Sequence, residues 1–338
     1  MPKVSVIVPT FNSGCYVKDT ILSILAQDYQ DFEIIVVDDA STDNTAEVVN
    51  ALNSEKINYI SLPENHGGPS NARNVGIKNA RGEYIAIFDS DDLMLSGRIE
   101  SVVSKMDEIP EVGMVCTDAI KFNDKNGDYA YNHLNSKHYS RFNCLKTRCV
   151  DTNFYIIDKK QAYDCLFYEN YVQTSSVTIR KKVFDEIGYF DESLTNAEDW
   201  DLWFRITQCY DLGYLDTICV KYRIREGSIS TRAVNKLGIN NIRVLRKRLE
   251  LKLEDSLRNQ AYNLIAIFYA EIGYSFRCAN QMQLAREYYK KSLKEKLNWT
   301  VFVHWLITYL GYSAINILRN ISAMRKIKEI VTSQREHV

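Results

Sequence analysis

The chain has 338 residues, of which 46% are hydrophobic and 25% charged, and its formal net charge is −1. This length accommodates one large domain and a smaller one, and the ordinary composition excludes a fibrous or intrinsically disordered chain. The charge is unevenly distributed, since residues 231–338 carry 19 Lys and Arg against 8 Asp and Glu, whereas residues 1–230 carry 23 against 35. We therefore expect two regions with different partners: an acidic one suited to a cation and a basic one suited to an anionic membrane or a nucleic acid.

The eight cysteines are scattered along the chain and form no C-x-x-C pair. This spacing fits neither a zinc site nor a disulfide framework. The N-terminal residues, Met-Pro-Lys followed by a strand pattern, lack the long apolar run of a signal peptide. We expect a protein of the reducing cytoplasm.

In the first part of the chain, predicted strands alternate with predicted helices. Apolar, β-branched runs predict buried strands at 4–8, 32–37, 57–62 and 84–88, and helical spacing or capping residues predict helices at 15–28, 45–52 and 69–80. Such alternation predicts an α/β fold, with a mostly parallel, Rossmann-like sheet and flanking helices. The carboxyl ends of the strands then meet at one edge, where such sheets bind ligands.

The rest of the chain has a less regular pattern. A helix is predicted at 98–109, strands at 112–117, 175–179 and 215–222, and a helix beginning at 197. Residues 120–170 are polar, aromatic and weakly periodic, and we interpret them as a variable region over the site. From about residue 232 the pattern is helical throughout, which predicts an all-α C-terminal region.

Three acidic residues, Asp89, Asp91 and Asp92, directly follow the buried strand 84–88. Asp89 and Asp91 point to the same side of an extended segment, and paired carboxylates suit Mg²⁺ or Mn²⁺. The alternative is a solvated turn in which Asp92 caps a helix. Acids also follow the second strand, at Asp38-Asp39, and this convergence at one sheet edge favours the cation site.

Five short motifs then carry a resemblance to a known family. In chain order they are Val6-Ile-Val-Pro-Thr-Phe-Asn12, Val36-Val-Asp-Asp-Ala-Ser-Thr-Asp43, Asn71-Ala-Arg-Asn-Val-Gly76, Gly82-Glu-Tyr-Ile-Ala-Ile-Phe-Asp-Ser-Asp-Asp92 and Glu198-Asp199-Trp200. The set resembles family 2 glycosyltransferases of the GT-A fold. It implies a nucleotide-sugar glycosyltransferase domain at 1–230, followed by a basic helical region at 231–338.

The resemblance also implies roles for individual residues. The residues that would bind the nucleotide sugar are Pro9, Thr10, Phe11, Asp39, Arg73, Asp89 and Asp92. Among them, Asp39 would accept a hydrogen bond from the base, which suits uracil, Asp89 would contact the ribose, and Asp92 would touch the sugar. Asp91 would ligate the Mn²⁺ or Mg²⁺ that bridges the diphosphate.

On the acceptor side, the family's general base matches Asp199, and direct attack assisted by that base inverts the anomeric centre. Their position alone favours an alternative, in which Glu198 and Asp199 are acids in the first turn of a helix that stabilise its dipole. Glu198 and Trp200 are assigned with Asp199 to the acceptor side. Arg225 stands where the family often has histidine; because guanidinium cannot ligate a metal, Arg225 is predicted to hold phosphate.

The C-terminal region leaves several interpretations open. Residues 269–276 and 285–289 resemble one tetratricopeptide-like helix pair. Residues 299–318 contain no charged residue, and we consider a buried helix first, then an interfacial helix, then a membrane span. The interfacial alternative places 299–328 on an anionic membrane, with Arg319, Arg325, Lys326 and Lys328 near the lipid.

We therefore predict a cytoplasmic, inverting glycosyltransferase, peripheral on the inner face of the membrane in the interfacial alternative. It would add one sugar from a UDP-sugar to a glycan or lipid-linked acceptor in surface-polysaccharide synthesis, and we expect no nucleic-acid partner. The alternatives are an inactive module that binds a nucleotide sugar, a membrane or a partner protein, and a nucleotidyltransferase. A dinucleotide-binding oxidoreductase would need G-x-G-x-x-G after the first strand, and that motif is absent.

Overall fold

The computed structural model describes residues 1–124, 127–129, 147–225 and 234–309. The chain divides into two compact units. The first comprises Met1–Leu166 and Asn170–Glu226, and the second comprises Phe167–Glu169 and Gly227–Val338. The predicted boundary between residues 230 and 231 lies outside the described residues.

The first unit is an α/β structure, as predicted. Its strands are β1 Val4–Thr10, β2 Phe32–Asp38, β3 Ile57–Ser61, β4 Tyr84–Ile87, β5 Leu93–Met94, β6 Val112–Asn123, β7 Gly127–Tyr129, β8 Thr147–Cys149, β9 Phe154–Ile157, β10 Val177–Arg180 and β11 Asp211–Arg223. Its helices are α1 Val17–Leu25, α2 Thr45–Asn50, α3 Pro69–Asn79, α4 Arg98–Glu108, α5 Lys159–Leu166, α6 Lys181–Ile187 and α7 Glu198–Cys209, with a short 3-10 helix at Thr174–Ser176.

The described strands belong to one mixed sheet with the order β3-β2-β1-β4-β10-β6-β11-β9-β8, and beside this path β5 pairs with β11 and β7 with β6. Strands β3, β2, β1 and β4 run parallel, and so do β6 and β11, whereas β10 is antiparallel to both of its neighbours. The parallel register pairs Thr10 with Asp38, so β1 and β2 end side by side. The predicted edge of strand ends is therefore present.

Three neighbouring parallel strands are buried on both faces. Every residue of β1, β2 and β4 is buried, which explains why their sequences are mostly apolar. Helix α3 covers this part of the sheet closely: a Cβ built on Gly76 would lie 2.4 Å from Cγ2 of Ile7. Pro69 occupies the first turn of α3, where its missing N–H has no helical partner to lose.

The interpretation of 120–170 as a variable region was incomplete. Strand β6 continues to Asn123, and β9 and α5 are regular elements within that range. Strand β9 pairs antiparallel with β11, matching Phe154 to Leu215. Because this partner lies far away in sequence, the local pattern around β9 gives little indication that it is a strand. The part of the region at 125–126 and 130–146 lies outside the described residues.

The regular elements described in the second unit are all helices. Its helices are α8 Val234–Leu249, α9 Asp255–Cys278, α10 Met282–Glu295 and α11 Trp299–Ile307. Helix α9 packs on α10 across Gly273, where an added Cβ would lie 2.9 Å from Cδ1 of the buried Tyr289. The resemblance to a tetratricopeptide-like pair stays a prediction.

The apolar segment predicted at 299–318 is described as far as residue 309. Only Ile307 and Thr308 are buried in this part, whereas Trp299 is 75% exposed and Tyr309 is 56% exposed. The described part is therefore a partly exposed helix and not the buried helix that was considered first. Among the helices that can be described, none is both long and apolar enough to cross a bilayer. Residues 310–318 and the four cations at 319–328 lie outside the described residues.

Candidate active site

Backbone geometry at the ends of β1 and β2 places the predicted nucleotide residues together. The Asp39 N–H donates to the Thr10 carbonyl at 2.9 Å. Pro9 is buried, whereas Phe11 is 44% exposed. The buried Thr10 hydroxyl has no hydrogen-bond partner among the described residues. Such an unpaired group suits a site whose remaining partner is a ligand.

Asp39 itself is held by His66, a residue that the sequence analysis did not single out. The two Asp39 carboxylate oxygens meet the His66 backbone N–H at 3.0 Å and the His66 ring Nδ1 at 2.8 Å. This contact with the carboxylate raises the pKa of His66. Asp39 is 4% exposed and therefore has a fixed orientation beside the strand ends.

Arg73 on α3 lies between two carboxylates from distant parts of the chain. Its Nη2 donates to Asp89 Oδ1 at 2.7 Å, and its Nη1 donates to Glu198 Oε1 at 2.5 Å. Arg73 is 3% exposed, so its charge is neutralised inside the protein and not at the surface. Arg73 thus links the acid predicted to contact the ribose to the acidic pair at the start of α7. Its predicted contact with the nucleotide stays a prediction.

The acidic pair Glu198-Asp199 begins helix α7. Ala197, the residue before it, has a left-handed backbone with φ of 60°, which turns the chain sharply into the helix. Trp200 is buried and its indole N–H donates to the Leu166 carbonyl at 3.1 Å. This contact fixes the first turn of α7 against α5, and so fixes the direction of the Asp199 side chain.

Asp199 is half-buried and hydrogen-bonded through both oxygens. Its Oδ2 accepts from the Thr174 hydroxyl at 3.0 Å and from the Asn170 amide at 3.2 Å, and its Oδ1 accepts from the Trp200 N–H at 2.6 Å. Burial raises the pKa of Asp199, while Arg73 and these donors oppose the rise. The result is an oriented carboxylate with more proton affinity than a surface aspartate, as a general base requires.

Glu198 is buried more completely, at 5% exposure. Burial raises its pKa to about 7; the charge of Arg73 opposes this rise and the charge of Asp199 adds to it. Glu198 contacts Arg73, and its role on the acceptor side stays a prediction. Its geometry makes it a residue that holds Arg73 in place beside Asp199.

The acids that follow β4 have separate environments. The Asp89 side chain is 31% exposed, and the Asp91 side chain is 16% exposed. Asp92 is completely buried, and its Oδ1 accepts from the Arg223 N–H at 2.9 Å. Burial, together with the charges of Asp91 and Asp89, raises the pKa of Asp92 well above its ordinary value. The structure gives Asp92 a packing role, and its predicted contact with the donor sugar stays a prediction.

Asp91 forms an ion pair with Arg225. Arg225 Nε lies 2.5 Å from Asp91 Oδ2, and the guanidinium lies 5.1 Å from the centre of the Tyr16 ring. Burial and the neighbouring Asp89 raise the pKa of Asp91, and Arg225 opposes that rise. Arg225 therefore lies at the acidic strand end, as its predicted role with phosphate requires.

The donor set at this strand end suits a hard divalent cation. Asp89 and Asp91 supply carboxylate oxygens, and Mg²⁺ usually takes one or two protein carboxylates and completes its shell with phosphates and water. In the part of the chain that the structure describes, no group of three or more His, Cys, Asp or Glu is arranged to hold a metal. The two acids therefore fit an ion that is shared with a phosphate ligand.

Sequence reasoning missed the residues that contact the acids and Arg225. His66, Asn170, Gln173 and Thr174 bond to the acids, and Tyr16 packs against Arg225. The only available signal was position: His66 directly precedes the Gly67-Gly68-Pro69 helix start, and Asn170 to Thr174 precede β10. Local pattern does not show that these residues face Asp39, Asp92 or Asp199.

Comparison with known proteins identifies the family. The model of the family described as "Glycosyl transferase family 2" matches residues 5–188. The glycosyltransferase GlyG of Streptococcus pneumoniae serotype 4 is 31% identical over 234 residues, which cover 67% of this chain and 72% of GlyG. A GalNAc(5)-diNAcBac-PP-undecaprenol beta-1,3-glucosyltransferase of Campylobacter jejuni is 42% identical over 110 residues, or 32% of this chain and 36% of that protein. An uncharacterized glycosyltransferase of Rickettsia bellii matches 89% of this chain, but the match spans only 43% of that protein's length.

A solved structure shares the fold. S. aureus TarS 1–349 in complex with UDP-GlcNAc aligns with 91% of this chain and 89% of its own chain, with a TM-score of 0.60 and 20% identity. The mixed sheet, the acids at its strand ends and the matched family model lead to the same conclusion. The chain belongs to glycosyltransferase family 2 and has a GT-A fold with a helical C-terminal region.

Proposed function

We propose that this glycosyltransferase moves one sugar, with inversion, from a UDP-sugar to a hydroxyl of a glycan or lipid-linked acceptor. The observation that carries the proposal is the pairing of Asp199 with the strand-end acids through Arg73. A single buried guanidinium bonds both Asp89 and Glu198, the residue next to Asp199. A donor held at Asp89 would therefore have an oriented carboxylate nearby.

In this proposal, Asp199 accepts the proton of the acceptor hydroxyl as that oxygen attacks the anomeric carbon. A carboxylate held at both oxygens loses little freedom when it takes up this role. The raised pKa of Asp199 increases its affinity for the proton of the acceptor hydroxyl. Attack from the side opposite the leaving group inverts the anomeric centre.

The leaving group is a nucleoside diphosphate, and we propose that it lies at the strand-end acids. Asp39, fixed by His66, would accept the imide N–H of uracil, and the exposed ring of Phe11 would stack on the base. Asp91, with Asp89 beside it, would hold a Mn²⁺ or Mg²⁺ ion. When bound, such a cation stabilises the negative charge that develops on the diphosphate oxygens. Arg225 would contact the same oxygens through its guanidinium fork.

For the acceptor, we propose a glycan or lipid-linked precursor of a surface polysaccharide. The name of the Campylobacter relative, which acts on an undecaprenol-linked acceptor, supports this class. Helix α11 supports contact with an anionic membrane, since Trp299 and Leu306 lie on its exposed surface at 75% and 45% exposure. Flotation of the full chain with anionic vesicles tests the contact, and no association with them would contradict it.

Two assays on the full chain test the function. Thermal unfolding with a panel of nucleotide sugars, with and without Mn²⁺, should show a stabilising shift with one UDP-sugar. Slow, metal-dependent release of UDP from that sugar would distinguish an enzyme from an inactive binding module.

Variants then test the assigned roles. Asp199→Asn should lower turnover by at least about 100-fold while UDP binding is unchanged. Asp91→Asn should instead weaken UDP binding in the presence of Mn²⁺. Asp185→Asn, an exposed acid on α6, is the matched control and should behave as wild type. A fully active Asp199→Asn enzyme would refute the assignment of the base.

A further inference from the structure

Three arginines surround the strand-end acids, and they differ in how much of their hydrogen-bonding capacity is used. The side chains of Arg73 and Arg223 are each 4% exposed, whereas that of Arg225 is 27% exposed. Both terminal nitrogens of Arg73 are bonded to carboxylates. Arg223 donates from Nε to the Asp91 carbonyl at 2.8 Å and pairs with Asp124. These two side chains are parts of the protein's internal framework.

Arg225 is different because its terminal nitrogens are available. Among the described residues it donates one hydrogen bond, from Nε to Asp91 Oδ2. Its flat face lies over the Tyr16 ring at 5.1 Å, which supports the guanidinium from one side. A guanidinium has a fork of further N–H donors that matches two oxygens of a phosphate. Arg225 is therefore the arginine of this site that can take a new anionic partner without breaking the fold.

The partner that Arg225 already has is the acid assigned to the cation. Its Nε lies 2.5 Å from Asp91 Oδ2, and the Asp91 side chain is only 16% exposed. A guanidinium and a divalent cation at one carboxylate repel each other, and low solvent exposure strengthens that repulsion. While Arg225 holds Asp91, the protein offers a divalent cation a weakened site.

We propose that Arg225 exchanges between Asp91 and the diphosphate of the donor, and thereby makes cation binding depend on nucleotide binding. Without nucleotide, Arg225 neutralises Asp91 and competes with the cation. When a nucleoside diphosphate enters, its oxygens bind the guanidinium fork, and Asp91 becomes available to the cation. The inference rests on the proposed function, since it places the diphosphate beside Asp91. Its consequence is a positive coupling between UDP and Mn²⁺ that passes through one side chain.

The experiment measures Mn²⁺ binding to the full chain by the loss of the free-ion electron paramagnetic resonance signal, with and without saturating UDP. Arg225→Gln removes the charge and should tighten Mn²⁺ binding without UDP by roughly tenfold, the scale expected for a partly exposed pair screened by solvent. The factor by which UDP tightens Mn²⁺ binding should fall by a similar amount, because the variant has no arginine that competes with the cation when UDP is absent. Neither result depends on turnover.

Two further variants make the result specific. Arg225→Lys keeps a positive charge, so its Mn²⁺ affinity without UDP should stay within about threefold of wild type. Arg148→Gln removes an arginine whose side chain is 63% exposed and paired with Glu111, and it should leave both affinities unchanged. Arg225→Met gives the same test as Arg225→Gln if the latter does not fold, as judged by circular dichroism.

The outcomes separate this inference from the proposed function. Equal Mn²⁺ affinity of wild type and Arg225→Gln without UDP would overturn the exchange, even if both bind UDP with Mn²⁺. Equal tightening in Arg225→Lys and Arg225→Gln would also overturn it, since the charge would not be the cause. Failure of wild type to bind UDP at any Mn²⁺ concentration would remove the proposed function itself, and this inference with it.

Discussion

Glu198 offers a sharp test of the electrostatics of the site, because replacing it should stabilise the protein. Its carboxyl is 5% exposed and bonds Arg73 at 2.5 Å, yet burial raises its pKa to about 7. The ion pair therefore does not fully offset the loss of solvent around the anion. In Glu198→Gln the amide oxygen can still accept from Arg73, whose charge stays paired with Asp89, and no carboxylate charge needs to be buried at position 198.

The sign and size of this change in stability follow from the linkage between proton binding and folding. The pKa of Glu198 is 4.5 in its unperturbed state and about 7 in the folded protein. A raised pKa means that the folded state binds the proton more tightly, so this contribution to stability is complete below pH 4.5 and is lost as the pH rises through 7. At about 1.4 kcal/mol per pKa unit, the loss is about 3 kcal/mol. Glu198→Gln should thus match wild type near pH 4.5 and exceed its free energy of unfolding by up to about 3 kcal/mol at pH 8.5.

The measurement is urea unfolding between pH 4.5 and 8.5, followed by tryptophan fluorescence. The chain has four tryptophans, two in each compact unit. With Trp299 and Trp305 replaced by phenylalanine, the signal comes from Trp200 and Trp203 on α7, next to the acid under test.

The difference between the free energies of unfolding of Glu198→Gln and wild type isolates the titration of this acid and its coupling to Asp199. Glu100→Gln, an exposed glutamate on α4, is the matched control and should give a flat difference near zero. A difference for Glu198→Gln that is constant between pH 5 and 8, or a variant that is less stable throughout, would refute the reasoning. Either result would mean that Arg73 stabilises the Glu198 anion fully.

Two further variants test buried polar groups elsewhere in the chain. Arg180→Met should lower the free energy of unfolding by about 3 kcal/mol in urea unfolding, because the guanidinium donates to carbonyls that include Ile109 at 3.0 Å and these would be left buried and unpaired. Lys182→Met, an exposed neighbour, should change it by less than about 0.5 kcal/mol, and equal effects would contradict the argument. Tyr289→Phe should raise the melting temperature, gaining about 1 kcal/mol, since the buried hydroxyl finds no partner among the described residues. The half-buried Tyr288→Phe is its control, and a loss of stability in Tyr289→Phe would show that the hydroxyl has a partner.

Strands with long, mostly apolar sequences were predicted correctly, whereas several short strands were missed. Strands β1, β2 and β4 were predicted because each is buried at every residue and is therefore mostly apolar. Strand β5 has two residues, too few for any period, and forms only because β11 passes beside it. Strand β9 likewise depends on β11, with which it pairs in a register that places Phe154 opposite Leu215. Short strands defined by distant partners leave little local signal.

The candidate site was predictable in its acids but not in their partners. A carboxylate that ends a buried strand is conspicuous in sequence, so Asp39, Asp89 and Asp91 were found. The ion pair of Asp91 with Arg225 joins residues 134 apart in the chain. Sequence reasoning marked Arg225 as a departure from the family pattern, and only the folded chain shows which acid it contacts.

Four acids of the site are perturbed in the same direction. Burial raises the pKa of Asp91, Asp92, Glu198 and Asp199 alike. By linkage, each contributes a stability that is lost as the pH rises, so the folded chain is less stable with these acids ionised than with them protonated. Groups with perturbed pKa values cluster where chemistry or binding requires them. Arg73 and Arg225 oppose this cost in the protein alone, and a cation would join Asp91 once Arg225 has moved to a phosphate. The site is then most stable when donor and cation are both bound, which is the condition under which Asp199 should act.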